Sequence, residues 1–268
     1  VDADHLDRVR AVFVDDAGLT AVSTNLRAGR SAAESRSIYP VHAALGLSVS
    51  DTLFQGCRPV VVEGQSDQFY LSAIKNVLVS AGRIKPSREI LFIPTSGAKA
   101  IKTVAAILGG KDNDLPVVLC DGDAAGATLA KNLKAEMYAD VSGRVVMVSD
   151  VCSTTEAETE DLFPTFYIGP IIERYLRGPA DAPFTATEGT GPIIPQVKAY
   201  AAKHGIPLAD GWKVEVAKLA KSNLPATITT DAGWKATLDV WQALFERLMG
   251  IGLPIVEPKS NGVVVATV

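Results

Sequence analysis

The feature that most constrains this chain is a unit repeated between residues 59 and 150, in which a short apolar run without alternation is followed by a stretch with helical spacing. "PVVVEG" leads into "SDQFYLSAIKNVLVSAG", where Phe69, Ala73, Ile74 and Val77 recur at helical spacing. "EILFIPTSG" leads into "AKAIKTVAAILGG", "LPVVLC" into "AAGATLAKNLKAEMYAD", and "GRVVMVSD" closes the series. Continuous apolar strands separated by helices call for a parallel sheet covered on both faces. The predicted class is therefore α/β, with residues 51–164 as the core domain. Residues 1–50, with "VRAVFVDDAGLTAVSTN", read as a strand-containing appendage. Residues 165–210, where Gly, Pro and Thr interrupt helical pieces, read as a small helical insertion. Residues 211–268 are expected to supply further helices and a final strand, "GVVVATV", completing the core domain's region.

A length of 268 residues suits one large α/β domain or a medium one with an attachment. No apolar run approaches the ~18 residues of a membrane span, and the N-terminus lacks a signal-peptide core, so the cytosol is the expected compartment. Cys57, Cys120 and Cys152 are too scattered for a disulfide framework or a CxxC zinc site, and three histidines argue against a His-rich one. The net charge of −4 argues against a basic nucleic-acid-binding face. It leaves room for a nuclease, whose acidic site meets phosphate through bound cations. The chain begins with Val rather than Met, and it is expected to be a piece of a longer protein.

Three acidic groups stand where such a sheet would end. Glu63 follows the first strand beside Gly64, with Asp67 four residues on, where Ser66 or Asp67 would be a natural helix N-cap. Asp121 and Asp123 emerge from "PVVLC" at the same carboxyl edge, which is where open parallel sheets bind ligands. If the two strands are neighbours, Glu63, Asp121 and Asp123 converge, and their mutual repulsion raises their pKa values unless a cation compensates. Oxygen ligands of this kind suit Mg²⁺ or Mn²⁺. "TEAETEDLFP" adds Glu156, Glu158, Glu160 and Asp161 past the fourth strand, a run that is commonly a solvated face but here lies at the same edge.

Competing readings of Asp-Gly-Asp fare less well. A haloacid-dehalogenase-type phosphatase wants Thr or Val where Ala125 stands, a glycosyltransferase DxD has no supporting diphosphate loop, and a plain turn ignores Glu63. "ILGGKDND" fails as a P-loop, since Ala105 replaces the first Gly and no Ser or Thr follows Lys111. Ser96 and Gly97 in "IPTSGAKA" are candidates to offer backbone N–H groups to a phosphate, beside the plainer reading of a strand-to-helix turn.

"VVVEG.SD" and "D.DAAG" resemble the Toprim domain of topoisomerases, primases and related nucleases. The longer stretches "LGLSVSDTLFQGCRPVVVEGQSDQFYL", "LCDGDAAGATLAKNL" and "ETEDLFP" resemble the overcoming-lysogenisation-defect (OLD) family, in which a Toprim nuclease follows an ABC-type ATPase on one chain. The resemblance is close over residues 1–165 and looser beyond. It implies a Toprim-type sheet and a metal-dependent DNA endonuclease or nickase, with exonuclease activity as an additional option, that uses two Mg²⁺ or Mn²⁺ ions, with DNA and an N-terminal ATPase domain as partners and phage defence as the setting. Carried over, Glu63 and Asp67 match the first acidic motif, Asp121 and Asp123 the DxD, and Glu158, Glu160 and Asp161 the third. In the mechanism implied, one ion generates the attacking hydroxide and the other stabilises the leaving oxygen. Glu63, Asp67 and the Glu158–Asp161 group are assigned to one ion, Asp121 and Asp123 to the other. The family's late lysine matches Lys213, with Lys218 as the alternative. A non-catalytic Toprim-like DNA-binding module or a primase-like enzyme remains the competing class; neither Tyr70 nor Tyr138 stands in a nucleophilic context.

Overall fold

The computed structural model describes residues 11–14, 19–23, 57–109, 115–154, 156–189, 191–225 and 228–250. The chain forms two units, residues 1–57 and 58–268. In the first, β1 (Ala11–Val14) and β2 (Thr20–Ser23) pair antiparallel, with Ala11 opposite Ser23 and Val14 opposite Thr20.

The second unit is α/β. Its strands β3 (Cys57–Val62), β4 (Glu89–Pro94), β5 (Val117–Cys120) and β6 (Val145–Met147) form a parallel sheet in the order β4-β3-β5-β6. Helices α1 (Gln65–Ser80), α2 (Ala98–Gly109) and α3 (Ala124–Ala135) make the crossovers. β5, in the middle, is buried throughout, as a strand covered on both faces must be. β4 is an edge strand and alternates instead, with Ile90 and Phe92 buried between exposed Glu89 and Leu91.

Because successive strand side chains point to opposite faces, the sheet divides its apolar residues between two cores. Val61, Val118, Cys120 and Val145 face Ile101 and Ala105 of α2, Ala130 and Leu133 of α3, and Tyr138. Val60, Val62, Ile90, Phe92, Val117, Leu119 and Val146 face α1 and four later helices, α4 (Thr165–Leu176), α5 (Ile193–His204), α6 (Trp212–Ser222) and α7 (Lys235–Leu248). The helices beyond residue 164 thus share one core with the sheet. Arg58 at the start of β3 donates to the Met249 carbonyl at 2.6 Å, tying β3 to the residue that follows α7.

α1 buries Ala73 and Ile74 as expected and Tyr70, Leu71 and Leu78 besides, while the expected Phe69 and Val77 are only partly buried and pack at the core's margin. Its N-cap is Gly64 rather than Ser66 or Asp67. Asp67 acts from the third helical position, accepting the Gly64 N–H at 2.9 Å. The final strand expected at 262–268 and the Lys111 turn lie outside the described residues. Among the described residues, no helix is long and apolar enough to cross a membrane.

Candidate functional site

β3 is flanked by β4 on one side and β5 on the other, so the chain reverses its direction of sheet growth between β3 and β5. The crevice at the carboxyl ends of two such strands is where open α/β sheets bind ligands. Val60 lies opposite Val117 and Val61 opposite Val118, and two residues on, Glu63 stands level with Cys120, beside Asp121. The neighbour relation on which the site depends is therefore present.

Several of the acids are held by partners of their own. The α2 turn braces Glu63: the Thr95 hydroxyl and the Gly97 N–H both donate to the Glu63 carbonyl at 3.1 Å, and the Ala98 N–H reaches its carboxylate. Gly97 has φ +92°, which a side chain would oppose. Its amide is thus engaged by Glu63 and is not available to a phosphate, and Ser96 lies exposed on the turn. Thr159 donates to Asp67 Oδ1 at 2.6 Å, joining the third acidic motif to the first. Asp161 is engaged at both oxygens, by the Glu158 N–H at 2.9 Å and the Ile193 N–H at 2.8 Å. This is a scaffold role, fixing the turn Thr159–Leu162 against the start of α5. Asp123 caps α3, accepting from the Gly126 N–H at 2.7 Å. The Gly122 N–H donates to the Ala157 carbonyl at 2.7 Å, which ties the Asp-Gly-Asp turn to the acidic run.

Lys213, at the start of α6, ion-pairs with Glu158. Burial would lower its pKa, but Glu160, Glu158 and Asp121 around it hold it well above the ordinary lysine value. Lys218 stands outside this cluster, paired at 2.7 Å with Glu215 on the helix surface and 5.9 Å above the Phe69 ring. Of the two lysines, Lys213 is the one brought to the acids.

Burial is the largest influence on these carboxyls, and it raises all of those that shift. For Asp121 the proximity of Asp67, Glu160, Glu158 and Glu63 adds to it, and its pKa lies well above the usual carboxylate range. Asp121 thus lies near Glu63, Asp67, Glu158 and Glu160, and Asp123 lies near Glu63. Glu63 is raised by burial, Asp67 and Asp123, against the Ala98 amide and Lys213. Asp67 is raised by burial against its bonds from Thr159 and Gly64. Glu160 is pushed up to about 8 by burial, with Lys213 opposing and Asp67 and Glu158 reinforcing.

Two residues that sequence reasoning missed belong here. Thr159 carries the link to Asp67, and Tyr70 turns a buried phenol toward Glu160 and Asp67. Tyr70 lies three places past Asp67, one helical turn along the same face, which is the signal that was available. Among the described residues, the Tyr70 hydroxyl and Glu160 Oε1 are buried without a hydrogen-bond partner.

Comparison with known families, curated proteins and solved structures finds no match in any of the three. The site rests on its own geometry. Among the described residues, no three His, Cys, Asp or Glu side chains are gathered closely enough to hold a metal ion as they lie. The donor chemistry nevertheless fits a hard divalent cation: all the groups are oxygens, several are destabilised as anions, and Glu160 has a buried oxygen with nothing to accept from.

Proposed function

We propose that this chain is a Mg²⁺- or Mn²⁺-dependent phosphodiester hydrolase acting on DNA, a Toprim nuclease of the OLD type. The observation that carries this reading is the adjacency of β3 and β5, which sets Glu63 and Asp121 side by side at the sheet's switch point with buried Glu160 and Lys213. In the proposed site, Glu63, Asp121 and Glu160 are the main ligands, with Asp67, Asp123 and Glu158 adjoining. Bound divalent ions would supply an activated water and stabilise the leaving oxygen. Asp161 and Thr159 hold the acidic turn in place, and Lys213 offers positive charge to the phosphate. The proposal extends to an ATPase partner region, to the cytosol as compartment and to defence against phage.

A second reading, a non-catalytic module that only binds DNA, draws support from the spacing of the carboxylates and from the Lys213–Glu158 pair, which already neutralises part of their charge. Incubation of supercoiled plasmid with the chain and Mg²⁺ or Mn²⁺ separates the two. Hydrolysis gives nicked and linear products that Asp121→Ala and Glu63→Ala abolish. Equal cleavage by all three proteins removes the site assignment, and binding without cleavage by the wild type favours the module.

A further inference from the structure

Away from the carboxylates, α4 and α6 enclose a groove of 370 Å³ whose lining includes Phe166, Pro170, Arg174, Asn223 and Trp234. It adjoins a second cavity of 700 Å³ that shares Arg174 and Leu219 and adds Tyr175 and Arg177. In a chain of net charge −4, the lining of the two holds, among the described residues, two arginines and no carboxylate. Glu173, the one acid on α4, accepts instead from the Phe184 N–H. Phe166 is 59% exposed, large for an aromatic, and its ring is held edge-on by Trp234, which is itself buried. Pro170 has no N–H, so the Phe166 carbonyl lacks its usual helical donor. Arg177 caps α4 with φ 52°, in the left-handed region where glycine is the favoured residue. An arginine there stands against its own backbone preference.

We propose that this groove seats a single strand of nucleic acid, with bases stacked on Phe166 and phosphates met by Arg174 and Arg177. An exposed aromatic beside cations that pair with no described carboxylate is the combination that holds single strands, because every base has a face to stack and every nucleotide a charge to neutralise. Phe166 follows Glu160 by six residues, so the groove begins at most about 20 Å of chain from that acid. The identity of the ligand rests on the phosphodiesterase reading, and the strand's path then runs along α4 to the acids.

Fluorescence anisotropy of the full chain in EDTA, with labelled oligothymidylate, a duplex of equal length and polyglutamate, tests this. Oligothymidylate is expected to bind tightest, and Phe166→Ala to weaken it roughly fivefold or more. Arg174→Ala and Arg177→Gly should each reduce the slope of log K against log salt by about 0.7. Arg177→Gly should do so with an unchanged or higher Tm, since it relieves the left-handed residue. Equal binding of the duplex, competition by polyglutamate, or wild-type affinity in all three variants overturns the proposal. Asp121→Asn separates it from the nuclease reading. Cleavage by the wild type with groove variants that bind normally sinks the groove alone, whereas weakened binding in those variants without any wild-type cleavage sinks the nuclease alone.

Discussion

Glu160 is buried with an oxygen that accepts from no described residue, and its carboxyl lies at about 8 against an ordinary 4.5. Below the ordinary value both folded and unfolded chains carry the proton; between the two values only the folded chain keeps it, so stability falls as pH rises through that window. In EDTA, Tm is expected to decline between about pH 5 and about pH 8, and Glu160→Gln to flatten the decline. A Tm that climbs over this range, or a variant with the wild-type slope, contradicts the assignment. At this scale the sequence is a good guide to which acids matter, because parallel strands deliver their ends to one edge. It gives less guidance on how each acid is used. Asp67 and Asp161 read as ligands like the others, but each accepts from a backbone N–H three residues before it and also from a donor far along the chain, Thr159 for Asp67 and the Ile193 N–H for Asp161. The choice between Lys213 and Lys218 was equally closed to sequence, since it depends on how α6 lies against the acidic turn.

Two elements hold the site by close contact. At Gly126, in the first turn of α3, a Cβ would come within 2.2 Å of the Asp121 carbonyl oxygen, so the helix can start beside the strand end only with glycine there. Gly126→Ala is expected to lower the urea-unfolding free energy by about 1–3 kcal/mol and to displace Asp121; an unchanged midpoint with full activity speaks against that role. α7 reaches the acidic turn through Trp241, whose Nε1–H donates to the Leu162 carbonyl at 2.7 Å inside the core. Trp241→Phe leaves that carbonyl unsatisfied, at an expected loss of about 1–3 kcal/mol in chemical denaturation. A loss no greater than that of an exposed substitution would show that the bond adds nothing. The strands and most helices were legible because apolar runs and helical spacing are local signals. Strand order was not, since nothing within β4 or β5 states which side of β3 it joins; that is decided by the helices that cross over. The α1 stripe was misjudged for a related reason: a helix covered by both the sheet and α6 buries more than one stripe.

Over the whole molecule, the sheet face that carries α1 is closed by helices from beyond residue 164. A chain ending at 164 leaves Val60, Val62, Tyr70, Leu71 and Ile74 without their cover, and it is expected to lose near-UV circular dichroism and to aggregate. A truncated chain that remains monomeric with a native near-UV spectrum shows the sheet to be self-sufficient. The same arrangement sets a timetable for synthesis. Glu63 and Lys213 are 150 positions apart (213 − 63), and the acids at 63, 67, 121, 123, 158 and 160 all leave the ribosome before Lys213, the cation that among the described residues is brought to this cluster. During translation, the nascent sheet therefore carries its acidic edge without a counter-charge. α6 brings that charge in the same movement by which it covers α1, so burial of the core and neutralisation of the edge arrive together.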